Sequence, residues 1–210
     1  MPTPTAERTL ADVAIVIKRQ FGDESGVQIT DSDITNWVNQ AQMEIVNKNP
    51  MIQATAVTTA VSGTQTYAVP PDMVQIESVM FNGNILAPTN FEDMRSQLGS
   101  DNGTPGTPGW WYVWANLIYL WPIPNTAQAI AVNYSKYPTR VSSPADKLGV
   151  PDRYFDRVCE FVMSKAYELD EDWNGYRVNA QKFEDKLQEV NNADKNMIGA
   201  FPVATDPYYE

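Results

Sequence analysis

The spacing of apolar residues changes twice along this chain. It is helical from about Ala6 to Asn49, strand-like from about Ala54 to Tyr137, and helical again from about Asp152 to Asn191. Helix stripes and sheet faces bury their apolar groups against different partners, so a β segment between two helical halves has to lie outside a bundle built from residues distant in sequence. The pattern predicts an α+β fold. An antiparallel helical bundle is assembled from both chain ends (1–50 and 146–191), with an antiparallel β domain inserted at 51–145 and an extended C-terminal tail at 192–210. This is the layout of a scaffold that presents an arm.

Composition narrows the chemistry. Among the 210 residues there is no histidine, which removes the commonest general base and metal ligand together with every Ser-His-Asp or Cys-His arrangement. Cys159 is the single cysteine, so neither an internal disulfide nor a thiolate cluster can form. The opening Met1-Pro-Thr-Pro-Thr5 lacks the basic, apolar and small-residue regions of a signal peptide, and the chain is expected to stay where it is made. The longest apolar stretch, Trp110 to Trp121, is broken by Asn116 and falls short of the ~20 residues of a membrane helix. A net charge of −11 repels DNA, since duplex affinity depends on Lys and Arg displacing phosphate counterions.

The first helix gathers Leu10, Val13, Ala14, Ile17 and Phe21 on one face, and Ile15 and Val16 widen it, as for a helix covered on more than one side. Thr30-Asp31-Ser32-Asp33 opens the second, with Thr30 as N-cap; Asp33 stands where a capping box has Glu, which leaves the reciprocal bond open. Ile34, Trp37, Val38, Ala41 and Ile45 form its stripe, and Pro50 ends it. Ala54–Val61 and Thr64–Val69 are expected to pair as a hairpin about Ser62-Gly63, and Val74, Ile76 and Ser78 to share a face. Asn82-Gly83 marks a type I′ turn after which Ile85 to Ala87 pair back. Thr89-Asn90 caps a short helix through Phe91, Met94 and Leu98, a Gly/Pro-rich loop runs from Gly99 to Gly109, and Trp110–Trp114 pairs with Leu117–Trp121 about Ala115-Asn116. Gln128 to Tyr137 is the last strand. A third long helix from Asp152 buries Phe155, Val158, Cys159, Val162, Ala166 and Leu169. A fourth from Asp172 presents Tyr176, Ala180, Phe183, Leu187 and Val190 as a narrow seam for one partner helix, and period is lost after Asn191.

Three features invite a functional reading. Asp170-Glu-Asp-Trp-Asn-Gly175 matches the first half of a calcium loop, but the twelfth position is Gln181, which has no carboxylate. A solvated turn with Asp172 as N-cap is favoured. The aromatics Trp110, Trp111, Tyr112, Trp114, Tyr119 and Trp121 could stack on a sugar, although alternating aromatics are more often sheet core or protein interface. Cys159 on an apolar stripe reads as an inert thiol. No carboxylate pair stands in a recognisable apolar pocket, so an enzyme is not expected and no cofactor is implied. The closing Phe201-Pro-Val-Ala-Thr-Asp-Pro-Tyr-Tyr-Glu210 is richer in aromatics than a disordered end, which favours docking.

Asp33-Ile-Thr-Asn-Trp-Val-Asn-Gln-Ala-Gln-Met-Glu-Ile45 and Gly63-Thr-Gln-Thr-Tyr-Ala-Val-Pro-Pro-Asp-Met73 resemble the head-to-tail adaptor (connector) proteins of tailed bacteriophages. Trp121-Pro-Ile-Pro124, Val132-Asn-Tyr-Ser-Lys-Tyr-Pro138 and Val150-Pro-Asp-Arg-Tyr154 follow in that family's order. The resemblance implies a structural virion protein, made in the host cytoplasm and placed in the neck. It would form a homo-oligomeric ring, twelve-fold, between the portal protein and a downstream tail or nozzle protein. DNA would pass through the ring without specific binding, and no membrane is involved. On this reading Leu10, Val13, Ile17, Ile34, Trp37, Val38, Ala41, Ile45, Phe155, Val158, Val162, Phe183 and Leu187 form the bundle core. Met197, Ile198, Phe201, Pro202, Tyr208 and Tyr209 dock the tail on the portal or a neighbouring subunit. The alternative is a carbohydrate- or receptor-binding module using the aromatic β insert.

Overall fold

A computed structural model describes residues 7–98 and 105–199, with five helices and two four-stranded sheets in a mixed α+β fold. The chain divides into two compact units, Met1–Asn49 with Pro138–Glu210, and Pro50–Tyr137. The β unit thus closes at Tyr137, earlier than position 145.

In the helical unit, α1 (Leu10–Phe21) and α2 (Asp31–Lys48) begin alike. Thr9 with Asp12, and Thr30 with Asp33, each close a complete capping box, so a shorter Asp does serve in place of Glu. Between the helices Asp23 accepts from the backbone N–H groups of Ile29, Gln28 and Val27 and from the Ser25 hydroxyl. That knot lays Ile29, fully buried, into the core. α4 (Phe155–Leu169), entered through a 3₁₀ turn at Asp152–Tyr154, packs on α1, α2 and α5 (Trp173–Gly199). Phe161 meets Phe183 edge-on at 5.3 Å across α4 and α5, and Glu160 pairs with Lys186.

Burial follows the stripes in the main. Leu10, Val13, Ile17, Ile34, Val38, Ala41, Ile45, Val158, Cys159, Val162, Ala166, Phe183 and Leu187 are buried. Trp37 and Phe155 are only half-buried: Trp37 lines an open groove, and the Phe155 ring lies under the Arg8 guanidinium. Ile15, on the widened face of α1, is exposed. Leu169, expected on the apolar face of α4, is 55% exposed because the helix ends there and the chain turns at Asp170–Asp172. Tyr154, which no period picks out because it precedes the helix proper, is fully buried. α5 also outlasts its apolar period: it continues to Gly199 rather than stopping at Asn191.

The β unit is a sandwich. One sheet has the order β1-β8-β3-β4, formed by Gln53–Thr59, Ala129–Lys136, Met73–Phe81 and Asn84–Ile85. The other has the order β2-β7-β6-β5, formed by Thr66–Ala68, Leu117–Trp121, Trp110–Trp114 and Ala87–Pro88. Val79, Phe81, Ile130, Val132 and Tyr134 of the first sheet meet Ile118 and Leu120 of the second in one core.

Two expected turns form, β3 to β4 about Asn82-Gly83 and β6 to β7 about Ala115-Asn116, all four residues at positive φ. The hairpin expected about Ser62-Gly63 does not. β1 pairs with β8 and β2 with β7, so Ser62-Gly63 carries the chain from one sheet to the other. Tyr67 holds this corner, its hydroxyl accepting from Val61 N–H at 3.1 Å and donating to the Thr64 carbonyl at 2.9 Å. Ile76 and Ser78 also part company. A register shift lies between them, so Ile76 pairs with core-facing Tyr134 while Ser78 bonds Asn133 on the opposite face.

Candidate interaction surfaces

Polar chemistry in the described residues serves architecture. The Cys159 thiol is pushed up to about 12 by burial, with Asp156 and Glu160 adding to the shift, so it carries no thiolate at neutral pH. In the Asp170–Gly175 turn, Asp172 Oδ1 accepts from the backbone N–H groups of Asn174 and Gly175 and caps α5. The left-handed residue of that turn is Glu171, at φ 59°, rather than Gly175. Gly175 is required for another reason: a Cβ there would stand 2.6 Å from the Tyr167 ring. Among the described residues no group of His, Cys, Asp and Glu side chains is placed to hold a metal ion, and no helix is long and apolar enough to cross a membrane.

Two polar side chains on α2 that the apolar period passes over clip the returning segment 138–150 onto the helix. Asn39 makes a two-way bond with Val141, donating to its carbonyl and accepting from its N–H, both at 2.9 Å. Gln42, buried, accepts from Gly149 N–H. Gly149 has no room for a side chain, since a Cβ would lie 2.8 Å from that of Pro138. The signal for these residues is their type: a carboxamide matches a backbone amide donor for acceptor, and both sit next to the apolar stripe.

Two of the open surfaces are apolar or aromatic, whereas the groove beside Trp37 is lined mainly by polar and charged side chains. In the helical unit, Leu10, Ala11, Ala14, Ile15, Ile34 and Pro144 line a groove between α1 and α2, closed at one end by the Lys18–Asp31 ion pair at 2.6 Å. In the β unit, helix α3 (Phe91–Leu98), whose first turn Asn90 caps through Asp93 N–H, lies over β6 and β7. Its Met94 packs with Tyr112 and Trp121. Tyr112 stacks on Tyr119 at 4.8 Å, and Phe91 stacks on Trp114 at 5.4 Å. Burial raises the Tyr112 hydroxyl above the usual phenol range, with Tyr119 contributing.

The expected aromatic cluster is thereby split. Trp111 turns inward against the sandwich core, Tyr112 and Trp121 are buried beneath α3, and Trp110 and Trp114 stay 46% and 57% exposed. Phe91, Val113 and Trp114 form the apolar floor of a hollow rimmed by Thr89, Asn90, Glu92 and Ser96. Of the expected docking residues, Met197 and Ile198 belong to α5, and Phe201, Pro202, Tyr208 and Tyr209 lie outside the described residues.

The apolar groove of the helical unit and the exposed aromatics of the β unit are surfaces of the kind that a structural interaction protein offers to partners. A family model described as SU10 adaptor protein matches residues 8–205, and the chain belongs to that family. It is a structural adaptor of a tailed phage, of a family that is not one of enzymes, and this implies a place in the virion neck with portal and tail proteins as partners. No curated protein matches the sequence.

Proposed function

We propose that copies of this chain form a ring, twelve-fold in the head-to-tail adaptors it resembles, between the portal and the next tail or nozzle protein, and that the ring extends the DNA channel. The helical halves, read as an antiparallel bundle, supply subunit packing. The β sandwich offers the platform to the tail, and the C-terminal residues dock on the portal or on a neighbouring subunit. The observation that carries this reading is the family match across both units, from residue 8 to residue 205. The net charge of −11 supports the channel role, because a negative wall lets DNA slide by without the counterion release that would hold it.

Docking through the chain end makes attachment conditional on a portal assembled upstream. Met197 and Ile198 are part of α5, so the docking segment is tested by removing residues 200–210, which spares the helix, and 197–210, which shortens it. Both deletions are expected to lower binding to portal-bearing capsids at least tenfold in a co-sedimentation assay. Undiminished binding by the longer deletion rejects the docking role.

The glycan-binding reading has less support. Stacking on sugar needs an open indole face, and Phe91 already lies against Trp114.

A further inference from the structure

Each sheet of the sandwich has two outer strands, and three of these four edges are blunted in ways that discourage pairing. β2 has three residues, β4 and β5 have two each, and β5 ends in Pro88. The fourth, β1, is unprotected. It is seven residues long, Gln-Ala-Thr-Ala-Val-Thr-Thr, with no proline and no charge, and Val57 is 69% exposed. Its neighbour β8 takes only half of its backbone groups. Lys136 N–H donates to the Ile52 carbonyl and Ala60 N–H to that of Gln128, so in the antiparallel register the even-numbered residues bond to β8. The N–H and C=O groups of Gln53, Thr55, Val57 and Thr59 therefore point away from the sheet, and among the described residues none has a backbone partner.

We propose that the outer edge of β1 takes an extended strand from a different protein chain, adding a fifth strand beside β1. The inference rests on the adaptor reading and specifies how the β unit holds its neighbour. Backbone pairing would supply the affinity, and alternate side chains, laid beside half-buried Ala54 and Ala56, would supply the specificity.

A second copy is poorly equipped to provide that strand. Its other sheet edges are two or three residues long, and β1 against β1 is a two-fold contact that would use up the edge without propagating round a ring. Nor do the chain ends serve well. Every seven-residue segment within 200–210 holds Pro202, Pro207 or both, and Pro2 and Pro4 interrupt 1–6, so either makes a poorer donor than a proline-free strand. The donor is thus a proline-poor, β-branched segment of about seven residues, neutral or basic because this chain carries −11.

Hydrogen exchange on wild-type protein, free and within purified phage particles, tests the proposal. The amides of Thr55, Val57 and Thr59 should exchange at least tenfold more slowly in the particle, while those of Ala54, Ala56 and Ala60 are protected in both states. The variant Val57→Pro removes one outward N–H and leaves the β8 ladder in place; if it keeps the wild-type melting temperature, it should reduce tail attachment at least tenfold. Unchanged exchange of the three amides in particles that do contain the protein overturns strand addition and leaves the adaptor reading standing. A concentration-dependent dimer of the free protein that Val57→Pro abolishes assigns the edge to a second copy and also overturns it. Particles without the protein overturn both readings.

Discussion

Asp23 and Asn39 do for the helical unit what apolar residues cannot, by satisfying backbone groups where the chain leaves regular structure. Four hydrogen bonds, led by that from Ile29 N–H, hold the Asp23 carboxyl down from 3.8 to about 2. A carboxyl with a lower pKa in the folded state stabilises the fold above its unfolded pKa and loses that contribution as pH falls. The melting temperature of the wild-type protein should therefore drop between pH 4 and pH 2, and that of Asp23→Asn should be lower at neutral pH and flatter over the same window. Thermal unfolding followed by circular dichroism across this range is the check. Replacing Asn39 by Ala strips Val141 of both its N–H and C=O partners, an expected loss of about 1–3 kcal/mol in urea denaturation. Neither role is visible in a hydrophobic pattern. Asn39 reads as an outward polar residue until the returning strand of chain is laid beside it, 102 positions later in sequence.

Whole elements were legible wherever their signal is local. The capped start at Thr30, the Asn82-Gly83 and Ala115-Asn116 turns, and the stripe from Ile34 to Ile45 all depend on residues within a few positions of one another. What escaped depends on distant partners. Alternation identifies Gln53–Thr59 and Thr66–Ala68 as strands without saying that their partners are β8 and β7 rather than each other. The shift between Ile76 and Ser78 is set by pairing with Tyr134 and Asn133, and it reverses which residues of β3 face the core. Likewise the aromatic run could be placed on a hairpin, but only α3 decides that Tyr112 and Trp121 are covered while Trp110 and Trp114 are not. At this scale Gly175→Ala is informative. Its methyl group would lie 2.6 Å from the Tyr167 ring and force α5 away from the end of α4. Overpacking of this kind costs about 1–3 kcal/mol, more than alanine's helix propensity returns, so the variant should melt at a lower temperature in calorimetry.

For the molecule as a whole, the adaptor family implies contacts with portal and tail proteins, and contact surfaces leave little that sequence can assign to single residues. The absence of histidine and the −11 charge bear on the whole chain, whereas the partners of each surface are written in other proteins. Trp114→Ala separates the two classes of surface. It removes an exposed indole stacked on Phe91, and under the adaptor reading neither it nor the wild type gives a signal on a glycan array. A wild-type signal lost in Trp114→Ala would favour the receptor-binding alternative. The most direct test of the central claim is electron cryomicroscopy of intact particles that carry this chain. The account predicts a closed ring of its copies between portal and tail, helical units against one another and β units toward the tail; density for the chain on fibres or baseplate, with none in the neck, would contradict it.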